Sequence, residues 1–170
     1  TFEHCSSLVA VRIPKGVLTL GSNAFSNCSL LASVALPDGV TSIGDAAFYN
    51  CESLRDVSVP ASVVAIGIDA FEYTLWLDDQ PDGVLYVNNV LYKYKGKMLP
   101  NTTIVIRKEV VSVTSKAFYG CDSLASIVLP DGITSINDEC FSGCSSLQSI
   151  VMPKTVERIG SSAFFGCSSL

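Results

Sequence analysis

The chain has 170 residues, of which 48% are hydrophobic and 16% are charged, and its formal net charge is −5. This composition excludes an intrinsically disordered chain, which needs few apolar residues and a high net charge. No stretch approaches the ~18 uninterrupted apolar residues of a transmembrane helix, and there is no signal-peptide pattern. The acidic balance disfavours nucleic acid as a partner, because proteins that bind it usually carry a basic face.

Phenylalanine, cysteine and proline recur at intervals of 23 residues along most of the chain. The aligned unit reads P-x-x-V-x-x-I-G-x-x-A-F-x-x-C-x-x-L-x-x-V-x-L. A fixed period over six to seven copies predicts a solenoid, in which each coil buries its apolar face against its neighbours. The three series are Phe2, Phe25, Phe48, Phe71, Phe118, Phe141 and Phe164; Cys5, Cys28, Cys51, Cys121, Cys144 and Cys167; and Pro14, Pro37, Pro60, Pro130 and Pro153.

The end of one unit and the start of the next predict a strand followed by a turn. Residues 31–36 end in strict alternation, with Val34 and Leu36 pointing inward, which is typical of a short strand. Pro37 then ends the strand, because it has no backbone N–H for a neighbouring coil. The dipeptide Asp38-Gly39 is typical of a turn.

The middle of the unit predicts a second extended piece and a tight helical turn. Residues 40–43 place two apolar side chains inward, and Gly44 permits a sharp corner. Residues 46–51 suit one 3₁₀ turn with Phe48 and Cys51 on one face, because their spacing is three. Stacking such coils at about 4.8 Å gives each strand a parallel partner.

The unit resembles the BspA-like class of leucine-rich repeats. Two stretches carry the resemblance: Leu54-x-x-Val57-x-Val59-Pro60 and Val40-x-x-Ile43-Gly44-x-x-Ala47-Phe48-x-x-Cys51. It implies an α/β leucine-rich-repeat solenoid, rich in β-structure, with a parallel sheet on one face and short strands and 3₁₀ or helical turns elsewhere. It also implies an extracellular or cell-surface location, and several proteins of this class are regarded as adhesins.

The repeat breaks between Phe71 and Phe118, which are 47 residues apart. We expect a β-hairpin insertion, with strands 84–87 and 90–93 and a type I′ turn at Asn88-Asn89. A degenerate coil is the alternative. The expected organisation is a single solenoid domain, with repeat coils in 1–73 and 101–170 and the hairpin insertion in 74–100. Its first and last coils are incomplete, so we expect a fragment of a longer protein.

The insertion is also the first candidate for a binding site. Together with Tyr73 just before it, it holds four of the six tyrosines, and it also holds the only tryptophan and a small lysine cluster. Aromatic and cationic side chains are favoured at recognition surfaces. The alternative is that these rings pack onto the adjacent coils. The candidate residues are Trp76, Tyr86, Tyr92, Lys93 and Tyr94.

A second candidate lies on the outward face of the predicted sheet. One column of outward positions runs through Val105, Val128 and Val151, and hydroxyl residues flank it. Valine is favoured in strands in any case, which is the simpler explanation. The alternative is a shallow apolar strip that docks a partner.

No pattern in the sequence predicts catalysis, a metal site or a cofactor. The only histidine, His4, has the features of an ordinary turn residue, since catalysis would need it beside a nucleophile. Six of the seven cysteines match the repeat and face inward, so we expect free, buried thiols. Cys140-x-x-x-Cys144 lacks the further ligands of a zinc site.

These observations favour a non-enzymatic module that binds a protein or glycan of a host or neighbouring cell surface. The alternative function is a structural spacer or a self-associating stalk without a specific ligand. Any membrane attachment would come only from regions outside this chain. No nucleic acid and no small-molecule cofactor is expected as a partner.

Overall fold

A computed structural model describes every residue from Thr1 to Leu170. The chain forms two compact units, unit 1 (Thr1–Gln80) and unit 2 (Pro81–Leu170). The boundary between the units falls inside the segment 74–100. Unit 1 contains β1 (Thr19–Leu20), β2 (Ser33–Ala35), β3 (Ser42–Ile43), β4 (Asp56–Ser58), β5 (Ala65–Ile66) and α1 (Leu75–Asp78). Unit 2 contains β6 (Gly83–Val87), β7 (Val90–Lys95), β8 (Thr102–Val105), β9 (Ser112–Val113), β10 (Leu124–Val128), β11 (Ser135–Ile136), β12 (Ser149–Val151) and β13 (Arg158–Ile159).

Each unit is a stack of coils whose strands pair in parallel. The all-parallel sheets are β2–β4 and β1–β3–β5 in unit 1, and β8–β10–β12 and β11–β13 in unit 2. Unit 2 has one further sheet, β6–β7–β9, in which β6 and β7 are antiparallel. Ser33 pairs with Asp56, and Ser126 pairs with Ser149. Both pairs are 23 residues apart, so the register follows the sequence period. The predicted leucine-rich-repeat solenoid with parallel sheets is confirmed.

Ladders of identical side chains fill the interior of each unit. The rings of Phe25 and Phe48 stack with centroids 5.4 Å apart and planes within 3°. In unit 2 the rings of Phe118 and Phe141 stack at the same spacing. Burying one aromatic per coil in this way removes a large apolar surface from water, which a single coil could not do alone.

The predicted 3₁₀ turn is wrong, because two residues of residues 46–51 have left-handed backbone. Ala46 has φ 51° and Asn50 has φ 56°, so the segment is a succession of turns without 3₁₀ helix. Its N–H groups alternate in direction. Tyr49 N–H donates to Ala46 O within the coil, whereas Phe48 N–H donates to Ala70 O of the next coil. The coils are therefore bonded to each other through the turns as well as through the strands.

The repeated cysteines are more than small apolar residues. Cys51 Sγ donates to the carbonyl oxygen of Phe25 at 3.0 Å, and Cys144 Sγ donates to that of Phe118 at 3.2 Å. All seven thiols are free. The expectation of a buried thiol is wrong for Cys5, which is exposed in the first coil, and Cys121 and Cys167 are half-buried.

The glycine before the turn has a different role from the predicted one. Gly44 has no positive φ, so it is not required for a sharp corner. A Cβ atom there would lie 2.5 Å from Ser22 N of the preceding coil. Glycine at this position therefore allows two coils to approach closely.

Candidate functional site

The end of unit 1 is shaped by Thr74, which occupies the cysteine position of the repeat. Its Oγ1 donates to Phe71 O at 2.8 Å and accepts the N–H of Leu77 at 3.1 Å. Thr74 is therefore the N-cap of α1. This helix was not predicted, although a threonine before an apolar run was an available signal.

The N-cap places the indole of Trp76 on the phenylalanine ladder. The centroids of Trp76 and Phe71 are 4.6 Å apart with an interplanar angle of 46°. The backbone N–H of Trp76 also donates to Leu54 O at 2.7 Å. Ring and backbone are thus both fixed, and the side chain remains half-buried rather than buried.

A groove of about 560 Å³ lies between Trp76 and the outward face of the β2–β4 sheet. Its polar wall contains Arg55 and Asp56. The floor consists of small outward side chains, which leave the groove open, whereas large residues there would fill it. The remaining lining residues are Val11, Ser33, Val34, Ala35, Val57 and Ser58. The sequence did not identify Arg55 or Asp56 as site residues, since the groove joins positions about 20 apart.

The polar wall of the groove is held by an ion pair. Arg55 Nη1 pairs with Asp79 Oδ2, and both side chains are about half exposed. Asp56 is exposed beside them. The groove therefore offers hydrogen-bond donors, a carboxylate acceptor and hydroxyls around one aromatic ring.

The hairpin is present in unit 2, with β6 antiparallel to β7. Only Asn88 has a positive φ, so the predicted type I′ turn is wrong, since that turn requires two. Strand β7 also pairs in parallel with β9, through Val90 with Ser112 and Leu91 with Val113. The second strand of the hairpin thus takes the place of a coil strand. The segment therefore has features of both alternatives, the hairpin and the degenerate coil.

The hairpin rings predicted as contacts differ in accessibility. Tyr92 is only 2% exposed and offers no surface to a ligand. Tyr94 is half-buried with its ring centroid 6.4 Å from that of Phe118, and burial raises the pKa of its hydroxyl. Lys93 is half-buried too.

Tyr86 is the hairpin ring with a cationic neighbour. Its ring lies under the guanidinium of Arg107, with Cζ 3.7 Å from the ring centroid. Arg107 Nη2 also donates to Asn88 O at 3.0 Å. Tyr86 and Arg107 together form the aromatic and cationic surface of the hairpin.

The valine column lies on the outward face of the β8–β10–β12 sheet, in register. Val105 is 69% exposed and Val151 is 54% exposed, while Val128 between them is half-buried. Beside it, the hydroxyls of Ser126 and Ser149 are 2.9 Å apart. This is a narrow apolar strip without a groove wall like Trp76.

No cluster of three metal-ligating side chains exists in the chain. The only helix, α1, has four residues, and no helix is long enough to cross a membrane.

A search of solved structures finds bacterial leucine-rich repeat proteins. A leucine-rich repeat protein of T. pallidum is 27% identical with a TM-score of 0.51, over 95% of this chain and 78% of that one. A leucine rich cell surface protein of Faecalibacterium prausnitzii A2-165 is 26% identical with a TM-score of 0.45, over 99% of this chain and 60% of that one. No curated protein matches the chain.

The family comparison agrees with the register of the coils. The model of the BspA type leucine rich repeat region matches six copies, over residues 1–80 and 88–170. The matched residues leave out only the start of the hairpin. The chain therefore belongs to the BspA-type leucine-rich repeat family.

Proposed function

We propose that the chain is a non-enzymatic binding module of a bacterial cell-surface or secreted protein, with a protein or glycan of another cell surface as its ligand. The observation that carries the proposal is the groove of unit 1, where an indole, an ion pair and hydroxyls meet. Binding sites combine an aromatic surface with a few placed polar groups in this way. The family membership and the cell-surface relative support the location.

The hairpin of unit 2 is a second contact surface within the same function. Tyr86 and Arg107 form a rigid pair there, since the arginine is held by a ring and a carbonyl. Rigid aromatic and arginine side chains lose little entropy on binding and often dominate interface energies. An adhesin role would use both surfaces.

The proposal is tested by binding to plates coated with purified mucin or with extracellular-matrix protein. Wild type should bind one of them, and Trp76→Ala and Tyr86→Ala should each weaken binding about tenfold. Tyr119→Ala is the matched control, because Tyr119 is 58% exposed on a turn rather than in either surface. If wild type binds neither coating, the proposed binding function fails, and the spacer or stalk is the function left to test.

A further inference from the structure

We propose that the groove of unit 1 binds a neutral saccharide, with Trp76 stacked on one sugar face. This inference rests on the proposed function and specifies its ligand class. The volume of the groove, about 560 Å³, lies within the ~300–1,000 Å³ range of small-ligand sites.

The ring of Trp76 is suited to stacking because it is already immobilised. Its contact with Phe71 and its backbone bond to Leu54 hold the side chain before any ligand arrives. A preorganised aromatic avoids the entropy cost of ordering on binding. A pyranose ring presents a flat C–H face to such a surface and directs its hydroxyls outward around the rim.

The rim of the groove has the mixed chemistry that hydroxyls require. A sugar hydroxyl both donates and accepts, so it needs an acceptor and a donor at once. Asp56 supplies the acceptor, and the guanidinium of Arg55 supplies donors in a direction fixed by Asp79. Ser33 and Ser58 add hydroxyls to the floor.

Charge favours a neutral sugar over an acidic one. The one guanidinium of the groove wall, that of Arg55, is already paired with Asp79, and Asp56 adds a second carboxylate beside it. Unit 1 as a whole has nine acidic and three basic residues. A negative field of this kind repels anionic ligands.

The shape of the floor favours a saccharide over a peptide. Peptide anchors need a deep apolar pocket for a large side chain, and the outward residues Ser33, Ala35 and Ser58 give a shallow surface instead. In unit 2 the corresponding column holds Val105, Val128 and Val151. Replacing small residues of the unit 1 column by valine therefore tests the groove, because valine is tolerated at outward strand positions and would fill the floor.

The test uses the side-chain N–H resonance of Trp76, which reports on the groove alone because the chain has one tryptophan. Lactose, maltotriose and chitotriose are titrated at millimolar concentrations, with sialyllactose as the acidic counterpart of lactose. At least one neutral sugar should shift the resonance saturably. Ala35→Val/Ser58→Val should fold normally and weaken that binding at least tenfold. Ala10→Val, at an outward position that does not line the groove, is the control.

Three results would overturn the saccharide proposal: no shift with any neutral sugar, a shift that the double valine variant retains, or tighter binding of sialyllactose than of lactose. If mucin or matrix protein still binds wild type and Trp76→Ala weakens it, the proposed function stands and only the ligand class is wrong. If neither sugars nor coated plates bind, both proposals fail.

Discussion

Cys51 donates its thiol proton to the carbonyl oxygen of Phe25, one coil earlier, across 3.0 Å. The same oxygen accepts the N–H of Cys28 at 3.2 Å. Each such carbonyl thus joins its own coil to the next one. The cysteine that marks the period in the sequence is a bond between coils in the structure.

We expect Cys51→Ala to lower the free energy of unfolding by about 1–2 kcal/mol. The variant removes a weak hydrogen bond and leaves a small cavity at a fully buried position. Urea denaturation measures the loss. Cys5→Ala is the control, since exposed Cys5 should change stability by less than about 0.5 kcal/mol. Equal effects at both sites would show that the inter-coil bond contributes nothing.

Stability should fall in alkaline solution because of these thiols. Burial raises the pKa of Cys51 and of Cys144 from the ordinary 9.0 to about 12. The unfolded chain then loses these protons at lower pH than the folded chain does. The stability that the two protonated thiols contribute to the folded state is fully present below pH 9 and is lost as the pH rises towards 12. Urea midpoints measured across this range should decline, and Cys51→Ala/Cys144→Ala should decline less steeply. Identical slopes would assign the decline to other groups.

Ala46→Gly should stabilise the protein by about 0.5–1 kcal/mol. Ala46 has φ 51°, a left-handed conformation that costs a residue with a Cβ atom about 1–2 kcal/mol. Ala47→Gly, one residue later, should instead destabilise, because Ala47 is fully buried and its φ is not positive. Thermal unfolding of the two variants compares them directly. The same sign for both would contradict the left-handed turn.

Gly67→Ala should destabilise by about 2 kcal/mol or more. A Cβ atom there would lie 2.3 Å from Asp45 N, so the two coils would have to separate. Gly21→Ala is the matched control at the same repeat position, because nothing lies within 4 Å of its Cβ. Chemical denaturation should show a large loss in the free energy of unfolding for Gly67→Ala and almost none for Gly21→Ala. Equal losses would mean that inter-coil spacing is not the cause.

The period of 23 residues was sufficient to predict the coils, the register of their strands and the side chains of the interior. In a stack of coils, residues that are one period apart in the sequence become neighbours in space. The turn conformation was not predicted, since the spacing of Phe48 and Cys51 suits a 3₁₀ turn and a pair of left-handed turns equally. A signal existed in the residue types. The position of Asn50 holds Gly120, Gly143 and Gly166 in unit 2, and asparagine and glycine both tolerate positive φ.

The groove could not be predicted from the sequence, for a different reason. The tryptophan was identified by its rarity, but Arg55 and Trp76 are brought together only by the helix that Thr74 caps. The pairing of β7 with both β6 and β9 was likewise not predicted, because this strand has neither the proline nor the cysteine that marks a coil. Tyr92 was a candidate because of its aromatic type, and residue type alone does not show that this side chain is buried.

Binding by the groove of unit 1 is tested most directly by the fluorescence of Trp76 during titration with purified mucin. The single tryptophan makes the signal specific to that groove. We expect a saturable change in emission with wild type, and at least tenfold weaker binding with Ala35→Val/Ser58→Val. An emission that does not change with mucin, or a saturable change of equal affinity in the double valine variant, would contradict a binding site at this groove.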